Sequence, residues 1–132
     1  MKNDYLREIE LNNEGSKSVI VEVEQKLGVK FPDDYKAFIQ KNNGGEGSIG
    51  GYSYISIWKI EDVIELNELY EVKEYTPNFV YFGSDGGDMA YAFDFSGEEC
   101  KYIEFPFMSI KEDEKIILGN SLKEMFKTLY NR

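Results

Sequence analysis

A chain of 132 residues, 42% of them hydrophobic, has the length of one domain and enough apolar side chains for a core. Histidine is absent and Cys100 is the single cysteine, so histidine-dependent catalysis, an internal disulfide and a histidine- or cysteine-cluster metal site are excluded. A net charge of −10 opposes direct binding of nucleic acid, and no apolar run reaches the length of a membrane-spanning helix.

The first third of the chain contains one ambiguous segment and one clear helix. Residues 1–15 read as a polar arm that Leu6, Ile9 and Leu11 could partly anchor, and residues 16–132 read as a single domain. In residues 16–28 the alternating valines favour a strand, whereas a helical apolar face closed by Gly28 favours a helix. Residues 32–42 predict a helix that begins at Pro32 and carries one apolar stripe. Asn42 to Gly45 would end this helix, and a loop to Gly51 would follow.

The remainder predicts short strands between helices. Residues 52–58 alternate like a strand, and residues 60–70 predict a helix with apolar residues inward and acidic residues outward. Residues 79–82, 89–95 and 101–105 predict an antiparallel meander joined by turns at 83–88 and 96–97. Ser121 and Glu124 form a capping-box pattern that starts a final amphipathic helix. We therefore predict a single α+β domain, with a mainly antiparallel sheet packed by N-terminal helices and a C-terminal helix.

The negative charge is concentrated in the middle of the chain. Residues 61–104 contain 12 acidic and 2 basic residues, so the net charge of this stretch, −10, equals that of the whole protein. This excess is either a solvated face that confers solubility or a docking surface for a cationic partner. On the second interpretation, the candidate partner-binding residues are Trp58 as an aromatic anchor, together with Glu61, Asp62, Glu65, Glu68, Asp85, Gly86, Gly87, Asp88, Asp94, Glu98 and Glu99.

No sequence motif of a nucleotide-binding, metal-binding or catalytic site is convincing. The GxGxxG pattern of residues 45–50 follows a predicted helix and precedes a strand, the reverse of a dinucleotide site, which indicates a flexible connection. The spacing of Asp85, Asp88 and Asp94 does not match that of a calcium-binding loop. Glycoside hydrolysis needs a pair of carboxylates, and nothing in the sequence marks one of the many acids as buried or as having a shifted pKa. Cys100 lies in an acid-rich strand that disfavours its thiolate, so we interpret it as structural. We expect no enzyme activity, no cofactor and no metal.

Two stretches of sequence resemble a known family. Residues 27–39 (LGVKFPDDYKAFI), ending in Asn43-Gly44-Gly45, resemble the opening signature of the SUKH superfamily. Residues 82–88 (FGSDGGD), running into residues 91–94 (YAFD), resemble its second signature, although Asp88 stands where a third glycine often follows. The final helix from Asn120 fits the family's last element, so the resemblance spans roughly residues 16–131. It favours a helix for residues 16–28.

The resemblance implies a non-enzymatic α+β domain. The family includes a fungal cell-wall-assembly (glucan-synthesis) regulator domain and many bacterial immunity proteins, which neutralise polymorphic toxins by direct binding. An acidic chain without an apolar leader core in its first residues suits capture of a basic nuclease in the cytoplasm. We therefore expect an immunity-type protein, acting as a monomer or homodimer, with a basic toxin as its partner. The alternative is a regulatory module that binds through the glycine loops at 44–51 and 83–88.

Overall fold

Seven antiparallel strands form a meander in which each strand pairs with the next one along the chain. The computed structural model describes residues 4–132. Its strands are β1 (Ile9–Leu11), β2 (Gly45–Ile49), β3 (Ser53–Ile57), β4 (Phe79–Ser84), β5 (Met89–Asp94), β6 (Lys101–Pro106) and β7 (Ile116–Gly119). Its helices are α1 (Lys17–Leu27), α2 (Asp33–Lys41), α3 (Ile60–Leu69), α4 (Val72–Tyr75) and α5 (Leu122–Tyr130), with a 3₁₀ turn at Glu112–Glu114. The predicted single α+β domain is confirmed.

The two faces of the sheet bury different clusters, because side chains alternate along each strand. On β4 the side chains of Val80 and Phe82 join the main core with α1, α2, α3 and α5, while Phe79 and Tyr81 point to the opposite face. That second face forms a smaller cluster of Val72, Phe79, Tyr81, Ala90, Ala92, Ile103 and Phe105. The central strands β4, β5 and β6 are therefore buried on both sides.

The ambiguous segment at residues 16–28 is a helix. Ser16 accepts a hydrogen bond from the Val19 N–H, and Gly28 closes the helix in the left-handed conformation with φ of 70°. Ile20 and Val23 are its buried residues. The helical apolar face therefore decides the structure, and the β-branched propensity of the valines does not.

Most of the glycine-rich segment at 45–50 is the strand β2 (Gly45–Ile49) rather than the flexible connection that the sequence predicts. A Cβ at Gly45 would lie 2.5 Å from the Glu10 carbonyl oxygen, and one at Gly47 would lie 2.3 Å from the Glu8 carbonyl oxygen. These glycines therefore let β1 approach β2 closely.

Strand β1 lies within the segment predicted as a polar arm. Ile9 is 9% exposed and pairs with Gly47, and Leu11 pairs with Gly45. The segment 9–11 is thus part of the sheet, while residues 1–3 of the predicted arm lie outside the described residues.

A long-range contact ties α2 to the final helix. The Asp34 carboxylate accepts a hydrogen bond from the Leu122 N–H at 2.8 Å and another from the Tyr102 hydroxyl. It therefore acts as a remote cap for α5, beside the local cap that Ser121 provides to the Glu124 N–H at 3.1 Å. Within residues 4–132, no helix combines the length and the apolar character needed to cross a bilayer.

Candidate protein-binding surface on helices α3 and α4

Helix α3 turns its acidic residues to solvent, as its sequence pattern predicts. Ile60 and Val63 are buried, whereas Glu61, Asp62, Glu65 and Glu68 are exposed. Two further exposed acids follow at Glu71 and Glu74, at the turn into α4 and on α4. We call these six the acidic ridge: Glu61, Asp62, Glu65, Glu68, Glu71 and Glu74.

The start of α3 is held by a residue from a distant turn. Lys59 occupies the N-cap position without a side-chain cap. The buried Asn43 supplies it instead, because its Oδ1 accepts a hydrogen bond from the Ile60 N–H at 2.8 Å. The same amide donates to the Glu61 carboxylate at 2.7 Å. Asn43 therefore fixes the first acid of the acidic ridge to the end of α2.

The middle of α3 is pinned to the sheet by Asn67, a buried polar residue on its inward face. Its side-chain amide donates to the Tyr81 C=O at 2.9 Å and accepts from the Tyr81 N–H at 2.8 Å. Strand β3 pairs with β4 only at Ser56 and Ile57, so Tyr81, which pairs with Ala92 of β5, has no strand partner on the β3 side. Asn67 takes the place of that strand and sets the position of α3 on β4.

The corner between α3 and α4 is sharply bent. Glu71 has φ of 53° and ψ of 41°, and within residues 4–132 it is the one non-glycine residue with positive φ. This left-handed conformation costs about 1 kcal/mol for a residue with a Cβ. The bend leaves Leu69 68% exposed and Tyr70 38% exposed beside the acidic ridge.

The other predicted partner-binding acids lie at opposite ends of the sheet. Asp85 and Asp88 belong to the turn between β4 and β5, and Glu98 and Glu99 belong to the turn between β5 and β6. The six residues of β5 separate these turns by about 20 Å. The acids of residues 61–104 therefore form separate groups, and the acidic ridge is the largest of them.

Two of the predicted binding residues in the middle of the chain are engaged within the fold. Asp94 is 2% exposed and forms an ion pair with Lys115. Burial alone would raise the pKa of Asp94, but the hydrogen bonds from Lys115 and Ser96 hold it below its ordinary value. The prediction of Asp94 as a partner-binding residue is therefore wrong, because its carboxylate is enclosed and neutralised within the fold. Trp58 is half-buried against the second core cluster, so only part of its ring reaches solvent.

The glycine turn at 83–88 is organised by its own side chains. Asp85 Oδ1 accepts from the Gly87 N–H at 2.8 Å and from the Met89 N–H at 3.2 Å, and the Gly86 N–H donates to Ser84. Gly86, Gly87 and Asp88 are exposed at the tip. The turn is closed by these internal bonds, which engage one oxygen of the Asp85 carboxylate.

The first glycine loop leaves no room for a ligand at its start. A Cβ at Gly44 would lie 2.3 Å from the Ile57 carbonyl oxygen, so the backbone itself fills that space. The geometry at 44–47 therefore supports an architectural role for these glycines and gives no support to the alternative of a ligand-binding loop.

Neither a metal-binding group of acids nor an activated thiol is found among the described residues. In the described part of the chain, no three Cys, Asp or Glu side chains come together as a metal-binding group. Burial, followed by the nearby carboxylates of Asp94 and Asp34, raises the pKa of the Cys100 thiol to about 12, which opposes nucleophilic use. Tyr35 is fully buried, and its hydroxyl has no hydrogen-bond partner among residues 4–132.

Sequence reasoning missed Asn43 and Asn67 as positioning residues. Asn67 lies seven residues after Ile60 and four after Val63, so it falls on the inward face of α3. A polar residue at an inward position of a helix was the available signal, because buried amides need partners. Asn43 gives no such signal, since Asn before Gly is ordinary at a helix end.

An α+β domain that presents a ridge of exposed acidic side chains beside exposed apolar ones has the features of a binding domain. Residues 15–128 match the model of the SMI1 / KNR4 family (SUKH-1), so the chain belongs to that family. Domains of this family are generally non-catalytic immunity or regulator proteins, and membership supports a function of that kind through contact with another protein.

One curated relative is similar over part of its length. The uncharacterized protein YnaB of Bacillus subtilis (strain 168) is 46% identical to this chain over 55 residues. The matched region is 42% of this chain and 35% of the relative, so the chain spans about a third of the length of that relative.

Proposed function

We propose that this chain is an immunity-type protein that binds a basic, nuclease-like toxin through the acidic ridge and neutralises it in the cytoplasm. The observation that carries the proposal is the set of six exposed carboxylates on α3 and α4, none of which forms an ion pair within residues 4–132. A nuclease is expected to be basic where it holds phosphates. Binding alone would neutralise it, without catalysis, metal or cofactor.

The acidic ridge is favoured because its six carboxylates form no ion pair within residues 4–132, whereas some acids elsewhere are already paired. Glu22 pairs with Lys26, and Glu24 pairs with Lys36. The unpaired charge available to a basic partner is therefore greatest on α3 and α4.

Spacing along α3 supports a long-range effect on association. Glu61 and Glu68 are seven residues apart, which is about 10 Å along a helix. That distance is close to the Debye length of about 8 Å at physiological salt, so the carboxylates act on an approaching partner as one patch. Such a patch speeds association and makes it sensitive to salt, while the bound chain covers the toxin's phosphate-binding groove.

The test compares two charge-reversed variants in affinity capture from the producing cells. Tagged wild type, Glu65→Lys/Glu68→Lys and Glu98→Lys/Glu99→Lys are used, since both variants change the net charge equally. We expect the wild type and the second variant to retain one basic protein at near-equal stoichiometry, and the first variant to lose it.

A growth assay then asks whether the captured protein is a toxin. We expect it to arrest cells when expressed alone and to be harmless when co-expressed with the wild type, but not with Glu65→Lys/Glu68→Lys. Capture of a housekeeping protein in a salt-insensitive complex would contradict the proposal and favour the regulatory module of the same family. Capture of nothing at low salt would also contradict it.

A further inference from the structure

An exposed apolar cleft lies beside the acidic ridge, next to the smaller core cluster of the sheet. It has a volume of about 230 Å³ and lies between the α3–α4 corner and the loop that follows β6. We define the apolar cleft by Leu69, Tyr70, Tyr75, Phe107, Met108 and Ile110. Leu69 is 68% exposed, Met108 is 91% exposed and Ile110 is 63% exposed. Large apolar side chains this exposed, gathered around one depression, are typical of an interaction site.

The floor of the apolar cleft is rigid, whereas its rim is adaptable. The rings of Tyr70 and Phe107 are 4.5 Å apart, and those of Tyr81 and Phe107 are 5.7 Å apart. Tyr81 is held in turn by the two hydrogen bonds between its backbone and the Asn67 side chain. Met108 on the rim has a flexible side chain that adapts to different partners. A preformed aromatic floor lowers the ordering cost of binding.

The charges around the apolar cleft indicate the chemistry of its occupant. The segments 68–74 and 111–114 that flank it contain six acidic residues against two lysines. Glu71 lines the cleft itself, and the Glu114 carboxylate accepts a hydrogen bond from Ser109, which also lines it. A second copy of this chain would bring the same acidic flanks, and like charges would oppose that contact. A partner with cationic flanks would be attracted.

We propose that the apolar cleft is the anchor pocket for one aromatic or large aliphatic side chain of a protein partner, flanked by lysine or arginine. The inference rests on the proposed function and adds to it the part of the surface that holds the partner once bound. The acidic ridge governs the association rate, and the apolar cleft governs the dissociation rate. Arginine next to the anchor would also stack on Tyr70 and Tyr75.

The first experiment uses short synthetic peptides and methyl NMR of Met108 and Ile110. The probe is a lysine peptide with one central phenylalanine, and the comparison peptides replace that phenylalanine with serine or the lysines with glutamate. We expect saturable shifts of both methyl signals, at millimolar affinity, with the first peptide only. No shifts, or equal shifts with the glutamate peptide, would overturn the proposal. Shifts that depend on protein concentration without peptide would identify a second copy as the occupant and would also overturn it.

A matched pair of substitutions tests the same point on the captured partner. Met108→Ser removes a rim residue of the apolar cleft, and Tyr52→Ser removes a residue of equal exposure (91%) in the turn between β2 and β3. Neither side chain is part of the core, so folding is unaffected. We expect Met108→Ser to accelerate dissociation about tenfold and Tyr52→Ser to leave it unchanged. Equal dissociation rates for the two variants would overturn the proposal.

The two proposals fail in different ways. If the peptide leaves Met108 and Ile110 unmoved while Glu65→Lys/Glu68→Lys still abolishes capture, the cleft proposal fails and the proposed function stands. If the peptide binds the apolar cleft but no basic toxin is captured, the proposed function fails and the cleft binds another basic protein.

Discussion

Replacement of Asn67 by leucine tests how α3 is positioned. Leucine has a similar volume but makes no hydrogen bond, so the N–H and C=O of Tyr81 lose their partners. Water cannot replace them, because Asn67 is 7% exposed and Tyr81 is 2% exposed. Each unsatisfied buried group costs about 1–3 kcal/mol. We expect Asn67→Leu to lower the free energy of unfolding by about 3 kcal/mol, which is a large share of the stability of a domain of this size.

The assay is urea unfolding followed by the fluorescence of Trp58, the single tryptophan, which packs beside the cluster that contains Tyr81. Asn13→Leu, at an exposed position, serves as the control and should change stability by less than about 0.5 kcal/mol. If Asn67→Leu and Asn13→Leu unfold at the same urea concentration, the role given to the Asn67 amide is wrong.

Asn67→Asp separates hydrogen bonding from packing. Aspartate keeps an acceptor for the Tyr81 N–H, but at neutral pH its carboxylate has no proton to donate to the Tyr81 C=O. Burial raises the pKa of such an acid, so the folded state binds a proton more tightly than the unfolded chain. Stability therefore rises as the pH falls through the folded pKa. We expect Asn67→Asp to recover toward wild type between neutral and mildly acidic pH, and Asn67→Leu to show no such recovery.

Three further predictions concern other parts of the fold. Lys115→Met should destabilise the protein by about 2 kcal/mol at pH 7, because it leaves Asp94 buried without its cation. The pKa of Asp94 is lowered in the wild type, so the stabilisation by its ion pair is complete above about pH 4 and disappears as the pH falls. The difference in urea unfolding between wild type and Lys115→Met should therefore narrow in acid. A difference that stays constant with pH would contradict this interpretation. Gly44→Ala should destabilise the protein by more than about 2 kcal/mol, because Gly44 has φ of +85° and its new Cβ would meet the Ile57 carbonyl. The control is Gly51→Ala, whose Cβ meets no atom within 4 Å and which should be neutral in the same assay. Cys100, with its pKa raised to about 12, should react with a thiol reagent at pH 8 far more slowly in the native protein than in urea, and equal rates would refute its assignment as a structural thiol.

Hydrophobic periodicity in the sequence was sufficient to predict most of the regular structure. The strands β3 to β6 and the helices α2, α3 and α5 lie where alternating or helical patterns predict them. The capping box at Ser121 is half confirmed. Ser121 accepts from the Glu124 N–H, but the Glu124 carboxylate accepts from the N–H of Asn120 rather than of Ser121.

Strands β1 and β2 could not be predicted from local preference. Glycine is unfavourable in a strand, and the Gly45–Ile49 segment contains two glycines with few β-branched residues. It becomes a strand because β1 and β3 flank it closely on both sides, a condition set by the whole sheet. The sequence of the segment itself does not indicate that β1 and β3 lie so close to it.

The candidate surface was predicted in part. The outward direction of the acids on α3 follows from helical spacing, and the structure agrees. The separation of Asp88 from Glu98 follows from strand order, because successive turns of an antiparallel meander lie at opposite ends of the sheet. The burial of Asp94 depends on Lys115, which is 21 residues further along the chain, and no short-range pattern reveals that pair. The apolar cleft likewise combines residues about 40 positions apart, such as Leu69 and Met108.

The most direct test of the central claim is the association rate of the captured basic partner as a function of salt. We predict that Glu65→Lys/Glu68→Lys slows association about tenfold or more at low salt and flattens its salt dependence, because the charge on α3 is reversed. Glu98→Lys/Glu99→Lys, with the same net charge, should associate within about twofold of wild type. Equal slowing by both variants would mean that net charge alone matters, and no slowing by either would contradict the acidic ridge as the docking surface.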